Sequence, residues 1–164
     1  MIGGARKPAR THQGSLRMYA NILLSTDGSE VARKGIKHGI ALAKALDAKV
    51  TVITVSEPLP TPVGAGTAVS ASSQLDRHDA ASSEHAGKVF EETRAIAEQA
   101  GITPELLHVS HAHPATAILE TAKSRGCDLI VMGSSGRRGL SKLFVGCQTS
   151  AVLTDGSVPV LVVH

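Results

Sequence analysis

The sequence has few aromatic residues: 2% of its 164 residues are aromatic, and none is Trp. The three aromatic residues, Tyr19, Phe90 and Phe144, lie far apart in the chain. Proteins that bind RNA or single-stranded DNA usually stack bases on neighbouring aromatic side chains. The sequence therefore argues against a nucleic-acid partner, and its hydrophobic core has to be built from aliphatic side chains.

Cysteines and long apolar runs are also scarce. The two cysteines, Cys127 and Cys147, form neither a disulfide framework nor a metal-ligand spacing, which is typical of a reducing compartment. No apolar run approaches the roughly 18 to 20 residues that cross a bilayer, and the first 17 residues lack the apolar stretch of a secretory signal. We therefore expect a cytoplasmic protein with no membrane partner.

The first 17 residues differ in composition from the rest, because they are polar and basic and an apolar pattern begins only at Tyr19. We interpret residues 1–17 as a disordered basic tail and residues 18–164 as one domain, since a chain of this length suits a single core. An alternative is that Met18 is the natural first residue. The net charge of +3 is mild, and much of it lies in this tail, in Arg6, Lys7, Arg10 and Arg17.

Strand-like and helix-like segments alternate along the domain. Apolar, β-branched runs predict strands at residues 20–25, 49–56, 103–109, 128–132 and 159–163. Helical spacing and end signals predict helices at residues 30–46 (capped by Ser29), 74–99, 114–123 and 146–154. Residues 57–73, rich in Pro, Gly, Ala and Ser, are predicted to form a long loop.

This alternation predicts an α/β domain with one open, twisted, parallel five-stranded sheet and helices on both faces. The expected strand order is 3-2-1-4-5. In that order the chain changes direction across the sheet between strands one and four, and ligands of such sheets bind beyond the carboxyl ends of the strands at that point. A ligand crevice is therefore expected there before any motif is considered.

A glycine-rich segment follows the fourth predicted strand at this edge. Gly133-Ser134-Ser135-Gly136 is separated by nine residues from Gly146, which precedes the last helix. Glycines let the main chain approach an anion closely, and free amides at a helix N-terminus suit a phosphate group. The segment contains no Gly-x-x-x-x-Gly-Lys-Ser/Thr motif, so the chain is not predicted to be a P-loop NTPase.

The Gly-x-x-Gly, nine residues and Gly pattern resembles the ATP-binding signature of the universal stress protein family. Residues 22–30 are similar to the opening strand and acidic turn of that family, and residues 128–133 and 158–163 are similar to its last two strands. The resemblance covers residues 18–164. It implies an adenine nucleotide alpha hydrolase-like fold, a bound ATP with or without Mg²⁺, and a homodimer that pairs through the last strand.

Carried over residue by residue, the resemblance implies a nucleotide site with no catalytic residue. Asp27 and Val55 would contact the adenosine, although Asp27 would alternatively serve only to stabilise its own turn. Met132 and Gly133 would border the base and the ribose, and Arg137 with Arg138 would add positive charge. The residues around the phosphates would be Gly136, Gly146, Cys147, Gln148 and Thr149.

Cys147 departs from the family signature, which has Ser or Thr at this position. A thiol is a weak hydrogen-bond donor. The loss of one hydrogen bond of roughly 0.5 to 1.5 kcal/mol corresponds to about tenfold weaker binding. The resemblance therefore implies retained but weakened ATP binding. Because Cys147 lies at a predicted helix N-terminus in a basic loop, it is also a candidate redox-sensitive thiol.

Three functions compete at this point. The leading hypothesis is a stress-response sensor or interaction module that binds an adenine nucleotide, and the alternative is a nucleotide-free stress protein acting through protein partners, which Cys147 favours. An ATP pyrophosphatase of related fold is disfavoured, because such enzymes carry Ser-Gly-Gly-x-Asp-Ser after strand one, where this chain reads Ser-Thr-Asp-Gly-Ser at residues 25–29. No Ser-His-Asp arrangement is predicted, and slow ATP hydrolysis stays open. His111 and His113 are too few ligands to predict a metal site.

Overall fold

The structure, a computed structural model, describes residues 18–59, 68–134 and 147–164. Five strands and four helices alternate along these residues. The strands are β1 (Asn21–Ser25), β2 (Lys49–Ser56), β3 (Glu105–Ser110), β4 (Leu129–Gly133) and β5 (Val160–Val163). The helices are α1 (Glu30–Leu46), α2 (Ala68–Ala100), α3 (Pro114–Ser124) and α4 (Cys147–Asp155).

The strands form one parallel sheet in the order β3-β2-β1-β4-β5. Ile22 of the central strand β1 lies opposite Val50 of β2 and Leu129 of β4. The predicted fold class, strand order and number of strands are therefore confirmed. The change of direction lies between β1 and β4, as the sequence predicted.

Two aliphatic layers cover the two faces of the sheet. Ile22 and Leu24 of β1 pack with Ile36 on the face that carries α1 and α2, whereas Leu23 packs with Ile118 on the face that carries α3 and α4. All five side chains are at most 2% exposed. Each such burial contributes roughly 1.5 to 3 kcal/mol, which explains how a core almost without aromatic residues holds the fold.

Helix α1 approaches the sheet closely because glycines face each other across the contact. A Cβ added to Gly133 at the end of β4 would lie 2.5 Å from the carbonyl oxygen of Val31, and one added to Gly35 would lie 3.0 Å from the Gly133 nitrogen. A side chain at Gly133 would force the backbone to shift, and one at Gly35 would push its neighbour back by a few tenths of an ångström. The end of β4 and the start of α1 are thus fixed next to each other at the carboxyl edge of the sheet.

The prediction that residues 57–73 form a loop is wrong for its last six residues, because α2 begins at Ala68 rather than at residue 74. Residues 68–73 read Ala-Val-Ser-Ala-Ser-Ser and contain neither Pro nor Gly, so nothing in them stops a helix, and Ala has the highest helix propensity. β3 also begins two residues later than predicted, after Pro104, which has no backbone N–H to donate to a sheet. The predicted tail at residues 1–17 lies outside the described residues.

Within the described residues, no helix combines the length and the apolar character that a bilayer crossing requires.

Candidate functional site

A crevice of about 390 Å³ lies beyond the carboxyl ends of β1, β2 and β4. It occupies the position that the strand order predicted. Its polar lining comes from Ser25, Thr26, Asp27, Ser29, Glu57, Gln148 and Thr149. The rest of its lining is Ala32, Val55, Pro114, Ile118, Met132, Gly133 and Cys147.

Most of the predicted site residues meet in this crevice. Asp27, Val55, Met132, Gly133, Cys147, Gln148 and Thr149 all line it, although they come from four separate parts of the chain. The predicted contacts of Gly136, Arg137 and Gly146 lie outside the described residues, as does Arg138. The predicted residues that line the crevice therefore come from the turn after β1, the ends of β2 and β4, and the start of α4.

The turn between β1 and α1 is tied to the neighbouring strand. The Thr26 N–H donates to the Ile53 carbonyl oxygen at 3.0 Å, and the Thr54 hydroxyl donates to the Thr26 carbonyl oxygen at 2.9 Å. Thr26 and Thr54 are both buried. Because a buried polar group without a partner is costly, these bonds hold the first residue of the turn in one position.

Asp27 follows in the same turn with its side chain exposed. One carboxylate oxygen, Oδ1, accepts a hydrogen bond from the Ser29 N–H at 2.9 Å. Ser29 caps α1, since its hydroxyl oxygen accepts from the Ala32 N–H at 3.2 Å. Gly28 between them has a φ of 80°, which glycine adopts at little cost. The Asp27 carboxylate thus stabilises the turn with one oxygen and lies at the crevice.

The apolar walls of the crevice come from β2 and β4, the strands on either side of β1. Val55 is half-buried at the end of β2, and Met132 is 5% exposed at the end of β4. Ile118 of α3 and Ala32 of α1 complete these walls. Apolar walls with a few polar groups at fixed positions are the usual construction of a small-molecule site.

Two helices begin at the crevice. Cys147, Gln148 and Thr149 form the first turn of α4, and Pro114 is the first residue of α3. The Gln148 side chain joins the two helices, because its Oε1 accepts from the Ala115 N–H at 3.2 Å. First-turn amides have no intrahelical acceptor, and the helix dipole makes this end positive. This side of the crevice therefore favours an anionic group.

Several lining residues were not predicted from the sequence. Ser25 ends β1 and Thr26 follows it, Glu57 follows β2, and Pro114 begins α3. Each of these lies where a strand ends or a helix begins at the carboxyl edge, so the predicted topology already contained the signal. Ile118, one helical turn after Pro114, belongs to the same edge.

The two cysteines have different surroundings. Both are free thiols; Cys127 is buried, and Cys147 is exposed at the crevice. Cys127 packs in the core, and this burial, together with the nearby Asp128 charge, raises the pKa of its thiol to about 11. Within the described ranges, no three His, Cys, Asp or Glu side chains are grouped so as to hold a metal ion.

Comparison with known proteins identifies relatives over nearly the whole domain. The family model described as the universal stress protein family matches residues 18–164. A universal stress protein of Thermus aquaticus is 34% identical over 147 residues, which are 90% of this chain and 100% of the relative. A universal stress protein of Methanocaldococcus jannaschii is 32% identical over 148 residues, 89% of this chain and 82% of the relative.

Solved structures share the fold. A universal stress protein in complex with cAMP matches with a TM-score of 0.63 at 24% identity, over 89% of this chain and 97% of that one. The universal stress protein of Archaeoglobus fulgidus in complex with dAMP matches with a TM-score of 0.61 at 17% identity, over 90% and 99% of the two chains.

Proposed function

The chain belongs to the universal stress protein family, and from this premise we propose that its carboxyl-edge crevice binds an adenine nucleotide, ATP in the first instance. The occupied protein acts as a stress-response sensor or interaction module. One observation carries the proposal: apolar walls, an exposed carboxylate and a helix N-terminus line a single crevice of about 390 Å³. These are the three surfaces that a base, a ribose and a phosphate need.

The base lies between Val55 and Met132. An adenine ring is flat and largely apolar on its faces, so it gains from leaving water for a narrow space with aliphatic walls. Gly133 follows Met132 and borders the ribose. The polar edge of the ring faces the backbone of the strand ends, where amide and carbonyl groups are available at the end of a parallel sheet.

The ribose lies beside Asp27. In dinucleotide-binding sheets a strand-end carboxylate accepts hydrogen bonds from ribose hydroxyls, and Asp27 lines the crevice at the corresponding edge of this sheet. Its oxygen Oδ1 is already engaged by Ser29. The second oxygen, Oδ2, is therefore the acceptor assigned to the sugar.

The phosphates lie at the start of α4. The backbone amides of Cys147, Gln148 and Thr149, with the Thr149 hydroxyl, supply donors at the positive end of the helix dipole. Gly136, Arg137 and Gly146 complete this cradle in the proposal, and Mg²⁺ is held through the phosphate oxygens of ATP. Cys147 contributes its amide but no strong side-chain donor.

Two relatives support the choice of an adenine nucleotide. One universal stress protein of the same fold was solved with cAMP and another with dAMP. Both ligands carry adenine, a sugar and one phosphate. ATP is the finer proposal and rests on the resemblance of the glycine-rich segment to the family signature.

Calorimetry on protein stripped of any co-purified nucleotide tests the proposal. We expect saturable binding of ATP, AMP or cAMP at up to millimolar ligand, and much weaker binding of GTP. Val55→Phe, which fills the crevice, abolishes the signal. Val109→Phe is the matched control, because Val109 pairs with Val55 in the sheet and does not line the crevice. The absence of heat with every adenine nucleotide contradicts the proposal and favours the nucleotide-free alternative.

We also propose that the protein is a cytoplasmic homodimer that pairs through β5. β5 lies at one edge of the sheet and reads Val-Leu-Val-Val, with all four residues half-buried. An apolar edge strand without charges favours pairing with a second chain. Light scattering is expected to give twice the chain mass and to fall to the monomer mass in Val162→Glu, whereas a wild-type monomer contradicts the dimer.

A further inference from the structure

The two halves of helix α2 differ in how deeply their side chains are buried. Among the side chains of α2 that the structure describes, the buried ones begin at Ala86 and continue with Val89, Thr93 and Ala97. Among the described side chains from Ser72 to His85, all are exposed or half-buried. In this N-terminal half of α2, the described residues 72–85 therefore gain little from apolar burial, and polar contacts link them to the rest of the domain.

Two histidines supply those contacts. The Nε2 of His78 lies 3.0 Å from the Glu57 carbonyl oxygen, and the Nε2 of His85 lies 3.0 Å from the Asp27 carbonyl oxygen. A carbonyl oxygen only accepts, so both imidazoles carry a hydrogen on Nε2 and donate it. The two histidines are seven residues apart and share one face of the helix. Asp79 adds a further polar contact, since its Oδ1 lies 3.0 Å from Nε2 of His111.

Both carbonyl groups belong to acidic residues that line the crevice. Asp27 follows β1 and Glu57 follows β2, and each has its backbone oxygen bonded to α2. Gly28 lets the helix come this close, because a Cβ at Gly28 would lie 2.6 Å from a methyl carbon of Val89. The N-terminal half of α2 thus contacts the two acidic segments of the crevice through one imidazole each.

We propose that His78 and His85 are positioning residues that couple the N-terminal half of α2 to nucleotide binding. They hold the Asp27 and Glu57 segments in the conformation that accepts the ligand, and so remove part of the ordering cost of binding. Coupling between two sites is reciprocal. Nucleotide binding therefore stabilises the N-terminal half of α2. Because this half of the helix is exposed, its stability reports at the protein surface whether the crevice is occupied. This inference rests on the proposed function.

Affinity measurements test the first half of the coupling. His78→Ala and His85→Ala are each expected to weaken adenine-nucleotide binding about 3- to 10-fold, the effect of losing one hydrogen bond that orders the site. His85→Gln restores most of the affinity, because its side-chain amide offers a donor at a similar reach. His38→Ala is the matched control, since His38 is exposed on α1 and does not line the crevice.

Hydrogen exchange tests the second half. Without nucleotide, the amides of residues 26–29 exchange faster in the double variant His78→Ala/His85→Ala than in the wild type. With saturating nucleotide, exchange in residues 74–85 slows in the wild type and in His85→Gln, but not in the double variant. A structural role unrelated to the ligand would not produce this nucleotide-dependent difference.

Two failures are distinguishable. If the wild type binds nucleotide and the alanine variants bind it equally well, with unchanged exchange in residues 26–29, the coupling is wrong and the proposed function stands. If the wild type binds no adenine nucleotide, the proposed function falls, and the coupling falls with it.

Discussion

Two aspartates lie at opposite ends of the parallel strands, and their carboxylates have different partners. The strands begin at the amino edge of the sheet and end at its carboxyl edge. Asp128, just before β4 at the amino edge, accepts hydrogen bonds from the N–H groups of Ala20 at 2.7 Å and Asn21 at 3.1 Å. Asp27, just after β1 at the carboxyl edge, accepts one from the Ser29 N–H at 2.9 Å. Asp128 therefore joins the starts of β1 and β4, whereas Oδ2 of Asp27 is the atom that we propose as the acceptor for the ribose.

The two cysteines repeat this difference. Cys127, next to Asp128, is 6% exposed and packs with the aliphatic layer of α3 and α4. Cys147 is exposed at the crevice in the first turn of α4. The same residue type thus packs in the core at the amino edge and lies exposed in the crevice at the carboxyl edge.

The largest expected effect is on stability at the amino edge. Asp128→Ala removes the acceptors of two backbone N–H groups, and we expect it to lower the free energy of unfolding by roughly 2 to 4 kcal/mol. Asp27→Ala removes one exposed bond and costs less than about 1 kcal/mol. Urea denaturation of the two variants measures both values. Equal losses of unfolding free energy in Asp128→Ala and Asp27→Ala would contradict the difference between the two positions.

A pH effect of slightly smaller size is expected at Cys127. Its folded pKa of about 11 lies above the ordinary value of 9.0, so between these values the folded state binds the proton that the unfolded state has lost. The stabilisation from the protonated thiol is therefore fully present below pH 9 and is lost as the pH rises from 9 to 11. Above pH 11 the free energy of unfolding is lower by roughly 2 to 3 kcal/mol. Cys127→Ala, compared with the wild type by denaturation from pH 8 to 11, isolates this contribution from that of the lysines. Parallel curves for the two proteins would contradict it.

At the carboxyl edge the expected effect is on affinity. Asp27→Asn keeps Oδ1 as the acceptor for Ser29 but replaces the other oxygen with an amide donor, so we expect about tenfold weaker adenine-nucleotide binding, or about 1.4 kcal/mol. Asp128→Asn, the same change at the other edge, leaves the affinity unaltered. Calorimetry at 25 °C measures both. An unchanged affinity in Asp27→Asn would remove Asp27 from the site.

A smaller change in affinity is expected from a substitution at Cys147, and Cys127 provides its control. Cys147→Ser restores a hydroxyl at the start of α4, and we expect ATP to bind about 2- to 10-fold more tightly, since one hydrogen bond is gained. Cys127→Ser adds a polar group to the core and gives no gain in affinity, only lower stability. If ATP binds equally to the wild type and to Cys147→Ser, the phosphates do not contact this side chain.

Most of the fold could be predicted because its signals are local. The β-branched run of Lys49–Ser56 gave the bounds of β2 correctly, and Ser29 gave the start of α1. The start of α2 at Ala68 could not be predicted from composition, because Ala and Ser are common both in loops and in helices. The strand order then located the crevice, since ligands of parallel sheets bind at a known edge.

The contacts of α2 with the crevice could not be predicted. His85 and Asp27 are 58 residues apart in the chain, and His78 and Glu57 are 21 apart. Nothing local in the sequence distinguishes His78 and His85 from ordinary exposed histidines. Their hydrogen bonds depend on where α2 passes over the turn, and Gly28 lies against Val89 at that point.

Methyl-detected NMR of the protein titrated with ATP tests the central claim most directly, because it reports which edge of the sheet the adenine ring contacts. We predict nuclear Overhauser effects from the adenine protons to the methyl groups of Val55, Ile118 and Met132, which line the crevice. The methyl groups of Val50 and Ile102 at the amino edge should show none. Contacts confined to the amino edge, or no contact at millimolar ATP, would contradict the claim that the carboxyl-edge crevice is a nucleotide site.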